Sequence, residues 1–280
     1  MKPSAIGLFG IGLLLSSCTQ LNLSSISSFI SSSISQSSPH LLLGKPSNAT
    51  AFNAKDYLLV RPQYALSYNR DKGSPNWVSW QLNQSWLGSL PRLPFEPDGS
   101  LPQSWYQVQP DDYTSSGFDR GHLVPAADRN KTTADSQAVF LMTNIFPQSP
   151  DNNQGPWEKL ESYCRELARS GRELYITAGG AGIGGTGTNG NATTLGREKI
   201  LVPAVTWKIV VVLERPGLPI SSITEKTPII AVIMPNRQGI KTNNWRTYRT
   251  SIDAIEQLTG YDFLSAVAPP IQTVLESRID

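Results

Sequence analysis

Short hydrophobic runs with the alternation typical of β-strands recur along the chain from about residue 64 onward. Aromatic and small residues alternate at Tyr64–Tyr68 and Trp77–Leu82, and Gly73 and Pro75 lie between the two runs. This pattern predicts a β-hairpin. Further strands are predicted at Val139–Thr143, Leu174–Thr177, Trp207–Leu213 and Ile229–Ile233. The last two runs are almost continuously apolar, so we expect both strands to lie centrally in a sheet.

Two segments carry helix signals. The first runs from Pro156 to Ser170, because proline suits the first helical position and Gly171 suits the position after the last turn. Glu161 and Arg165 are four residues apart and therefore share one side of this helix. Its apolar stripe consists of Leu160, Tyr163, Cys164 and Leu167. A second helix is predicted from about Ser251 to Gly260. No repeat divides the chain after residue 41, so we predict one α+β domain over residues 41–280.

The N-terminus has the features of an export signal. Lys2 precedes an apolar run that ends in Leu15-Ser16-Ser17-Cys18, which predicts a signal peptide over residues 1–17. The ending resembles the lipobox of bacterial lipoproteins, in which the cysteine, here Cys18, carries the lipid. An ordinary signal peptide with a coincidental cysteine is the alternative. We expect an exported protein, either anchored to the membrane at the cell envelope or secreted.

A serine-rich stretch follows the predicted signal. Ten serines occupy the eighteen positions 21–38, and no charged residue occurs between Pro3 and Gly44. Such a stretch buries too little apolar surface to offset its ordering entropy, so we interpret residues 18–40 as a tether. If Cys18 is lipidated, Cys164 is left without a disulfide partner.

Composition narrows the possible functions. The 280 residues contain 24 Lys+Arg against 22 Asp+Glu, with 2 His and 2 Cys. So few histidines and cysteines exclude a His-rich metal cage, a Cys-rich zinc module and a disulfide scaffold. The near-neutral balance gives no sign of broad electrostatic capture of nucleic acid, so any such function must rest on local features.

His122 is the first candidate for chemistry. It lies in Phe118-Asp119-Arg120-Gly121-His122, and the other histidine, His40, lies at the edge of the predicted domain. A lone histidine is commonly structural. Here its neighbours supply an orienting carboxylate, a phosphate-binding guanidinium and room for close approach, and imidazole is the usual general base near neutral pH.

The second candidate is Asp151-Asn152-Asn153-Gln154, just before the helix that carries Glu161 and Arg165. One interpretation is an ordinary loop with a helix cap, since Asp and Asn favour that position. The other is an oxygen-rich site for a hard cation such as Mg²⁺, which keeps several waters and needs few protein ligands.

Taken together, these motifs resemble a known family. The matching segments are Asp119-Arg120-Gly121-His122, Ala127-Asp128-Arg129, Leu141-Met142-Thr143-Asn144, Asp151-Asn152-Asn153 and Leu160-Glu161-Ser162-Tyr163. They resemble the DNA/RNA non-specific endonucleases, and in particular the secreted cyanobacterial type. The resemblance implies a ββα-metal (His-Me finger) fold with a central, mainly antiparallel sheet flanked by helices and long loops.

The resemblance also implies roles for individual residues. His122 would be the general base, and Asn153 the direct ligand of one Mg²⁺, for which Mn²⁺ or another divalent ion could substitute. Glu161 would hold the metal's waters. Arg120 and Arg165 would contact phosphate, Asp119 would support the motif, and Arg92 matches a further family arginine with a spacing that differs by one residue. The implied reaction is hydrolysis of DNA and RNA, single or double stranded, to 5′-phosphate ends, and a protein inhibitor is an implied partner.

Two other functions compete with this interpretation. Gly182–Gly187 satisfies G-x-G-x-x-G after a predicted strand, which would suit a dinucleotide site if a helix followed, but turn-forming residues come next. The other alternative is a catalytically silent nucleic-acid-binding or envelope-structural lipoprotein with the same fold.

Overall fold

The structure, a computed structural model, describes residues 38–280. The predicted signal peptide, Cys18 and nearly all of the predicted tether lie outside the described residues. Among residues 38–280, no helix combines the length and apolar character needed to cross a bilayer.

A six-stranded sheet forms the centre of the fold. Its neighbouring strands are all antiparallel and follow the order β1-β2-β3-β6-β11-β12. These strands are β1 (Tyr57–Val60), β2 (Ala65–Asn69), β3 (Ser74–Leu82), β6 (Glu173–Ala181), β11 (Val205–Leu213) and β12 (Ile229–Pro235). The predicted hairpin is confirmed as β2–β3, and its turn uses Gly73 at φ 62°, a left-handed conformation that favours glycine.

Within residues 38–280, six further short strands form three antiparallel pairs outside this sheet. They are β4 (Asp119–His122) with β5 (Ile145–Gln148), β7 (Gly185–Gly187) with β8 (Gly190–Ala192), and β9 (Thr194–Leu195) with β10 (Ile200–Leu201). The helices are α1 (Thr133–Val139), α2 (Glu158–Arg169), α3 (Ile252–Thr259) and α4 (Pro269–Ser277). The mainly antiparallel sheet with flanking helices confirms the predicted α+β class.

Both faces of the sheet are covered, which explains why nearly every residue of β2, β3 and β11 is buried. On one face Trp80 and Val210 pack in the same cluster as Leu160 and Cys164 of α2. On the opposite face a second cluster contains Trp77, Trp207, Ile252 of α3 and Leu275 of α4. Alternate residues of β11 therefore point to different cores, and Lys208 points to the α2 face.

Two strand predictions need correction. Val139–Thr143 is not a strand, because Val139 ends α1 and Met142–Asn144 form a 3-10 turn, with the strand beginning at Ile145. Four of the five residues in this run are buried, and burial alone does not specify a strand. The strand at Ile229–Pro235 lies at the sheet edge rather than centrally, although an isolated bridge from Val232 to Arg249 partly covers that edge.

The helix predictions are confirmed with one change of boundary. Ser251 caps α3 through its side chain and Gly260 ends it at φ 73°. α2 ends before Gly171 as predicted, but the helical path starts earlier than Pro156. A turn at Pro150–Asn152 and a π-type turn at Asn153–Trp157 lead directly into α2.

Candidate active site

The β4–β5 ribbon presents the Asp119–His122 segment. Asp119 pairs with Gln148 and His122 with Ile145, so the motif is fixed along its whole length. A Cβ on Gly121 would clash with the side chain of Gln148, which means that glycine alone allows this approach. Beyond the ribbon, the backbone amide of Val124 donates to Oδ1 of the buried Asn144 at 3.0 Å.

His122 lies between two aromatic rings. Its ring centroid is 5.1 Å from that of Phe95 and 4.9 Å from that of Phe140. Arg120 lies over the Phe95 ring at 5.4 Å, and Arg92 lies over the Phe140 ring at 5.3 Å. The structure therefore brings together His122, Arg120 and Arg92, which includes the arginine whose spacing did not match the family.

The same surroundings determine the protonation of His122. Burial and, secondarily, the positive charge of Arg92 lower the pKa of His122 to about 3. The imidazole is therefore neutral near pH 7 and has a free lone pair, as a general base requires. Its Nε2 atom is buried and has no hydrogen-bond partner among the described residues.

Arg120 is partly committed to the protein itself. Its Nε and one terminal nitrogen donate to the carbonyl of Pro110 at 3.1 and 2.9 Å. These bonds leave the other terminal nitrogen of the guanidinium for an external acceptor, since guanidinium has five N–H donors. The side chain is thus held in place by its backbone contact before any substrate binds.

Asp119 fixes the orientation of Asn153. Asn153 Nδ2 donates to Asp119 Oδ2 at 2.8 Å, and Gln154 Nε2 donates to the same oxygen at 2.9 Å. Because the amide nitrogen of Asn153 is bound to Asp119, its carbonyl oxygen is the atom that can bind a cation. An amide oxygen beside a carboxylate fits a hard divalent ion such as Mg²⁺.

The rest of the Asp151–Gln154 cluster has other partners. Asp151 Oδ2 accepts from the backbone amide of Gly239, and the buried Asn152 donates to Thr206 Oγ1 and to the carbonyl of Pro235. The side-chain oxygens of Asp151–Gln154 therefore do not converge on one site. Asn153 therefore stays the predicted direct ligand, and it lies in the π-type turn, a feature that is frequent at functional sites.

Glu161 contacts Lys208, a buried lysine that lies outside all of the sequence motifs. Lys208 Nζ is 3.5 Å from Glu161 Oε1 and 3.9 Å from the centre of the Trp157 ring, and its side chain is 1% exposed. Burial raises the pKa of Glu161 to about 7, and Lys208 and Arg165 oppose that shift. A lysine within the apolar run Trp207–Leu213 was the available signal, since unpaired lysine is almost never buried.

Arg165 is held by Asp128, which lies in another of the segments that resemble the endonuclease family. Its Nη1 is 3.2 Å from Asp128 Oδ1, its Nη2 donates to Ser162 Oγ at 2.9 Å, and Trp80 Nε1 donates to Asp128 Oδ2. Burial would lower the pKa of Arg165, but Asp128 and Glu161 outweigh this effect and raise it. Arg165 therefore carries a fixed positive charge one helical turn from Glu161 on α2.

The glycine-rich motif does not meet the condition for a dinucleotide site. Gly185–Gly187 forms strand β7, which pairs with β8, so a hairpin follows where a helix is required. The exposed Ile183 lies just before this hairpin. The dinucleotide-binding hypothesis therefore lacks structural support.

Comparisons with known proteins find a matching family model and several relatives. A family model described as DNA/RNA non-specific endonuclease matches residues 45–269. A nuclease of Nostoc sp. is 53% identical over 246 residues, which cover 87% of this chain and 86% of that protein. Human mitochondrial endonuclease G is 29% identical, covering 74% of this chain and 69% of that protein. The chain spans 55% of the length of the mouse mitochondrial nuclease EXOG, to which it is 30% identical over 71% of its own residues.

A solved structure shares the fold. The crystal structure of the EndoG/EndoGI complex has a TM-score of 0.68 at 23% identity, covering 82% of this chain and 91% of that one. At this identity the likeness concerns the arrangement of strands and helices.

Proposed function

The chain belongs to the DNA/RNA non-specific endonuclease family and is a nuclease, and from this premise we propose that it is a Mg²⁺-dependent endonuclease of DNA and RNA. It hydrolyses phosphodiester bonds in single and double strands and leaves 5′-phosphate ends. The observation that carries the proposal is His122, a buried neutral imidazole flanked by Arg92 and Arg120. The proposed nuclease domain is residues 41–280.

His122 acts as the general base in this proposal. It takes a proton from water as the water oxygen attacks phosphorus, and the P–O3′ bond breaks to leave a 5′-phosphate and a 3′-oxyanion, which takes a proton from solvent water to become the 3′-hydroxyl. An isolated imidazole with so low a pKa is a weak base. The negative charge of a bound phosphate raises the pKa of a neighbouring histidine, so His122 becomes a stronger base once the substrate is in place.

The arginines and Asn153 bind the phosphate and the cation. Arg92, Arg120 and Arg165 supply fixed positive charge, and charges placed where negative charge develops stabilise the transition state more than the ground state. A bound Mg²⁺ would neutralise charge on the nonbridging and leaving oxygens. The oriented carbonyl oxygen of Asn153 would hold this ion, with Glu161 binding its waters, and Asp119 would keep the Asn153 amide in position.

Contacts to phosphate explain the breadth of substrates. Backbone phosphates carry no sequence information, and they are common to DNA and RNA. We therefore propose cleavage with little base preference.

A nuclease assay tests this function. Purified protein is incubated with plasmid and total RNA in Mg²⁺, Mn²⁺ or Ca²⁺, with and without chelator. We expect both substrates to be degraded to 5′-phosphorylated fragments with Mg²⁺ and to persist with chelator. If neither substrate is degraded with any ion, the alternative of a catalytically silent nucleic-acid-binding or envelope lipoprotein replaces the enzyme.

Residues 1–40 motivate a proposal about location. We propose export and attachment to the cell envelope through a lipid on Cys18. Replacing Cys18→Ala is expected to shift the protein from the membrane fraction to a soluble or unprocessed form. Unchanged fractionation would show that lipid on Cys18 does not hold the protein, and ordinary secretion would then be tested by its presence in the medium.

A protein inhibitor is a further proposed partner. The solved structure that shares this fold is a complex of EndoG with EndoGI and concerns the mechanism of EndoG inhibition. This precedent supports a comparable inhibitor for the present nuclease.

A further inference from the structure

A segment rich in basic residues lies beside the proposed site. Residues 237–249, here called the basic arm, contain Arg237, Lys241, Arg246 and Arg249, all of them exposed. No Asp or Glu occurs between Lys226 and Ile252. Among residues 38–280, no ion pair within 4.0 Å involves any of these four side chains. In a chain with a net charge of +2, this arm is a local concentration of uncompensated positive charge.

The first half of the arm binds the turn that carries Asn153. Gln238 Nε2 donates to Ser149 Oγ at 2.6 Å, and Lys241 Nζ donates to Gln154 Oε1 at 3.2 Å. Gln154 in turn donates to Asp119. The arm is therefore linked through one residue to the carboxylate that orients Asn153.

Close backbone packing fixes the arm against this turn. A Cβ on Gly155 would lie 2.7 Å from the Cα and from the carbonyl oxygen of Lys241. Lys159 Nζ donates to the carbonyls of Lys241 and Asn243 at 3.0 and 3.2 Å. These contacts hold the main chain of the arm along the start of α2.

The second half of the arm holds its cations on aromatic rings. Arg246 lies 4.3 Å from the centre of the Trp245 ring and 5.1 Å from that of Tyr163, which is on α2. Arg249 lies 5.4 Å from the Trp245 ring. Trp245 is buried, so it is a fixed platform for both guanidinium groups. Side chains ordered in advance lose less entropy when they bind an anion.

We propose that the basic arm is a second phosphate-binding surface, which holds the nucleic-acid backbone where it leaves the cleavage site. This inference rests on the proposed nuclease function and extends it to a long polymer as the preferred substrate. The arm follows the helical path from Asp151 to Tyr163, about 18 Å at 1.5 Å per residue. That length corresponds to about five base pairs of duplex.

An anionic membrane surface is the competing partner, because we also propose envelope attachment. The position of the arm favours nucleic acid, since Lys241 contacts Gln154, which donates to the Asp119 carboxylate that also binds Asn153. The arm also lacks the exposed apolar residues that a membrane-binding surface inserts into lipid, because Trp245 and Ile240 are buried.

Salt-dependent binding of DNA tests the proposal. Anisotropy of a labelled duplex of about 30 base pairs is measured in EDTA between about 50 and 200 mM salt, where each phosphate contact adds about 0.9 to the slope of log affinity against log salt. For the combined variant Arg237→Gln, Arg246→Gln and Arg249→Gln we expect weaker binding and a slope smaller by about two to three. The same three positions changed to lysine should keep the wild-type slope, which separates charge from packing.

A matched control removes three charges elsewhere. Arg172, Arg215 and Lys226 are exposed and lie near the Leu213 end of β11, whereas the arm follows β12 at Pro235, which pairs with Val205 at the other end of β11. Changing these three residues to glutamine lowers the net charge equally and should leave the slope unchanged. If stacking on Trp245 proves necessary for folding, Arg237→Gln alone, which involves no aromatic contact, should still reduce the slope by about one.

The outcomes separate this inference from the proposed function. An unchanged slope in the arm variant, or an equal loss in the control variant, overturns the arm as a phosphate surface. If the arm variant loses binding to vesicles of phosphatidylcholine and phosphatidylserine but keeps its DNA binding, the arm is a membrane-binding surface. That result also overturns the proposal. If the wild type binds DNA through the arm but cleaves nothing in Mg²⁺, the arm stands and the nuclease function fails.

Discussion

Lys208 offers a quantitative test of the site because its charge is buried beneath Glu161. The change Lys208→Met removes the ammonium group and keeps the length and apolar character of the side chain. The lysine has two roles in the structure, a 3.5 Å contact with Glu161 Oε1 and a stack on the Trp157 ring at 3.9 Å. Without it, the Glu161 carboxylate would be buried beside Asp128, a like charge that raises its pKa further.

The size of the effect depends on pH. Two unit charges 3.5 Å apart attract by about 5 kcal/mol at an effective dielectric constant of about 20, and removing one partner of a buried pair typically costs about 3–5 kcal/mol. The raised pKa of Glu161 means that its contribution to stability is present below its unfolded pKa and is lost as pH rises through about 7. Lys208 limits that loss, so it matters most where Glu161 is charged. We expect Lys208→Met to cost about 3 kcal/mol at pH 8 and much less at pH 5.

Urea unfolding in EDTA measures this difference without a bound metal. The wild type, Lys208→Met, Glu161→Gln and the double variant form a cycle whose coupling free energy isolates the pair. The coupling should be about 3 kcal/mol at pH 8 and fall to about 1 kcal/mol or less at pH 5. A cost of Lys208→Met that is the same at both pH values, with no coupling to Glu161, would refute the electrostatic reasoning and leave only packing.

Three further changes test other parts of the site and the fold. His122→Ala should lower the cleavage rate by about 10²–10⁴-fold while DNA binding in EDTA persists. The control His40→Ala, which loses a 2.8 Å contact with a backbone carbonyl, should lower Tm and leave the rate intact. Near-normal turnover of His122→Ala would remove His122 from the mechanism. Asp119→Ala frees the Asn153 amide, so Mn²⁺ affinity measured by calorimetry without substrate should fall about 10–100-fold, and unchanged affinity would exclude the orienting role. Burial raises the pKa of Glu276 to about 7, so the stabilising contribution of Glu276 is lost as pH rises through that value. Glu276→Gln should therefore add about 1–3 kcal/mol to the free energy of unfolding at pH 8 and nothing at pH 4. A lower free energy of unfolding for this variant at pH 8 would contradict the reasoning.

The sequence predicted those parts of the fold that depend on local signals. Ser251 and Gly260 mark the ends of α3, and Gly73 marks the β2–β3 turn, because capping and left-handed backbone conformations require particular residues. The strand prediction at Val139–Thr143 was wrong because a short buried run has no periodicity that separates a strand from a turn. The prediction that the helix starts at Pro156 was wrong, because the kink at Gly155 allows Pro156 to lie inside a longer helical path.

Partners distant in sequence were beyond the reach of local patterns. The motifs identified Glu161 and Arg165, yet their contacts come from Lys208, which is 47 residues from Glu161, and from Asp128, which is 37 residues from Arg165. No spacing rule connects such pairs, because the sheet and α2 bring them together. Lys208 was nevertheless visible as a charge within an apolar strand, and that signal indicates a buried partner of opposite charge.

The contact between Gly155 and the backbone of Lys241 has a consequence for the course of digestion. Main chain packs on main chain there, so a ligand that binds the basic arm also acts on the turn that carries Asn153. A polymer long enough to engage the arm can therefore contribute remote binding energy to order the turn, whereas a fragment shorter than about 18 Å cannot. Cleavage should slow as fragments shorten, and an exhaustive digest should accumulate short oligonucleotides rather than mononucleotides.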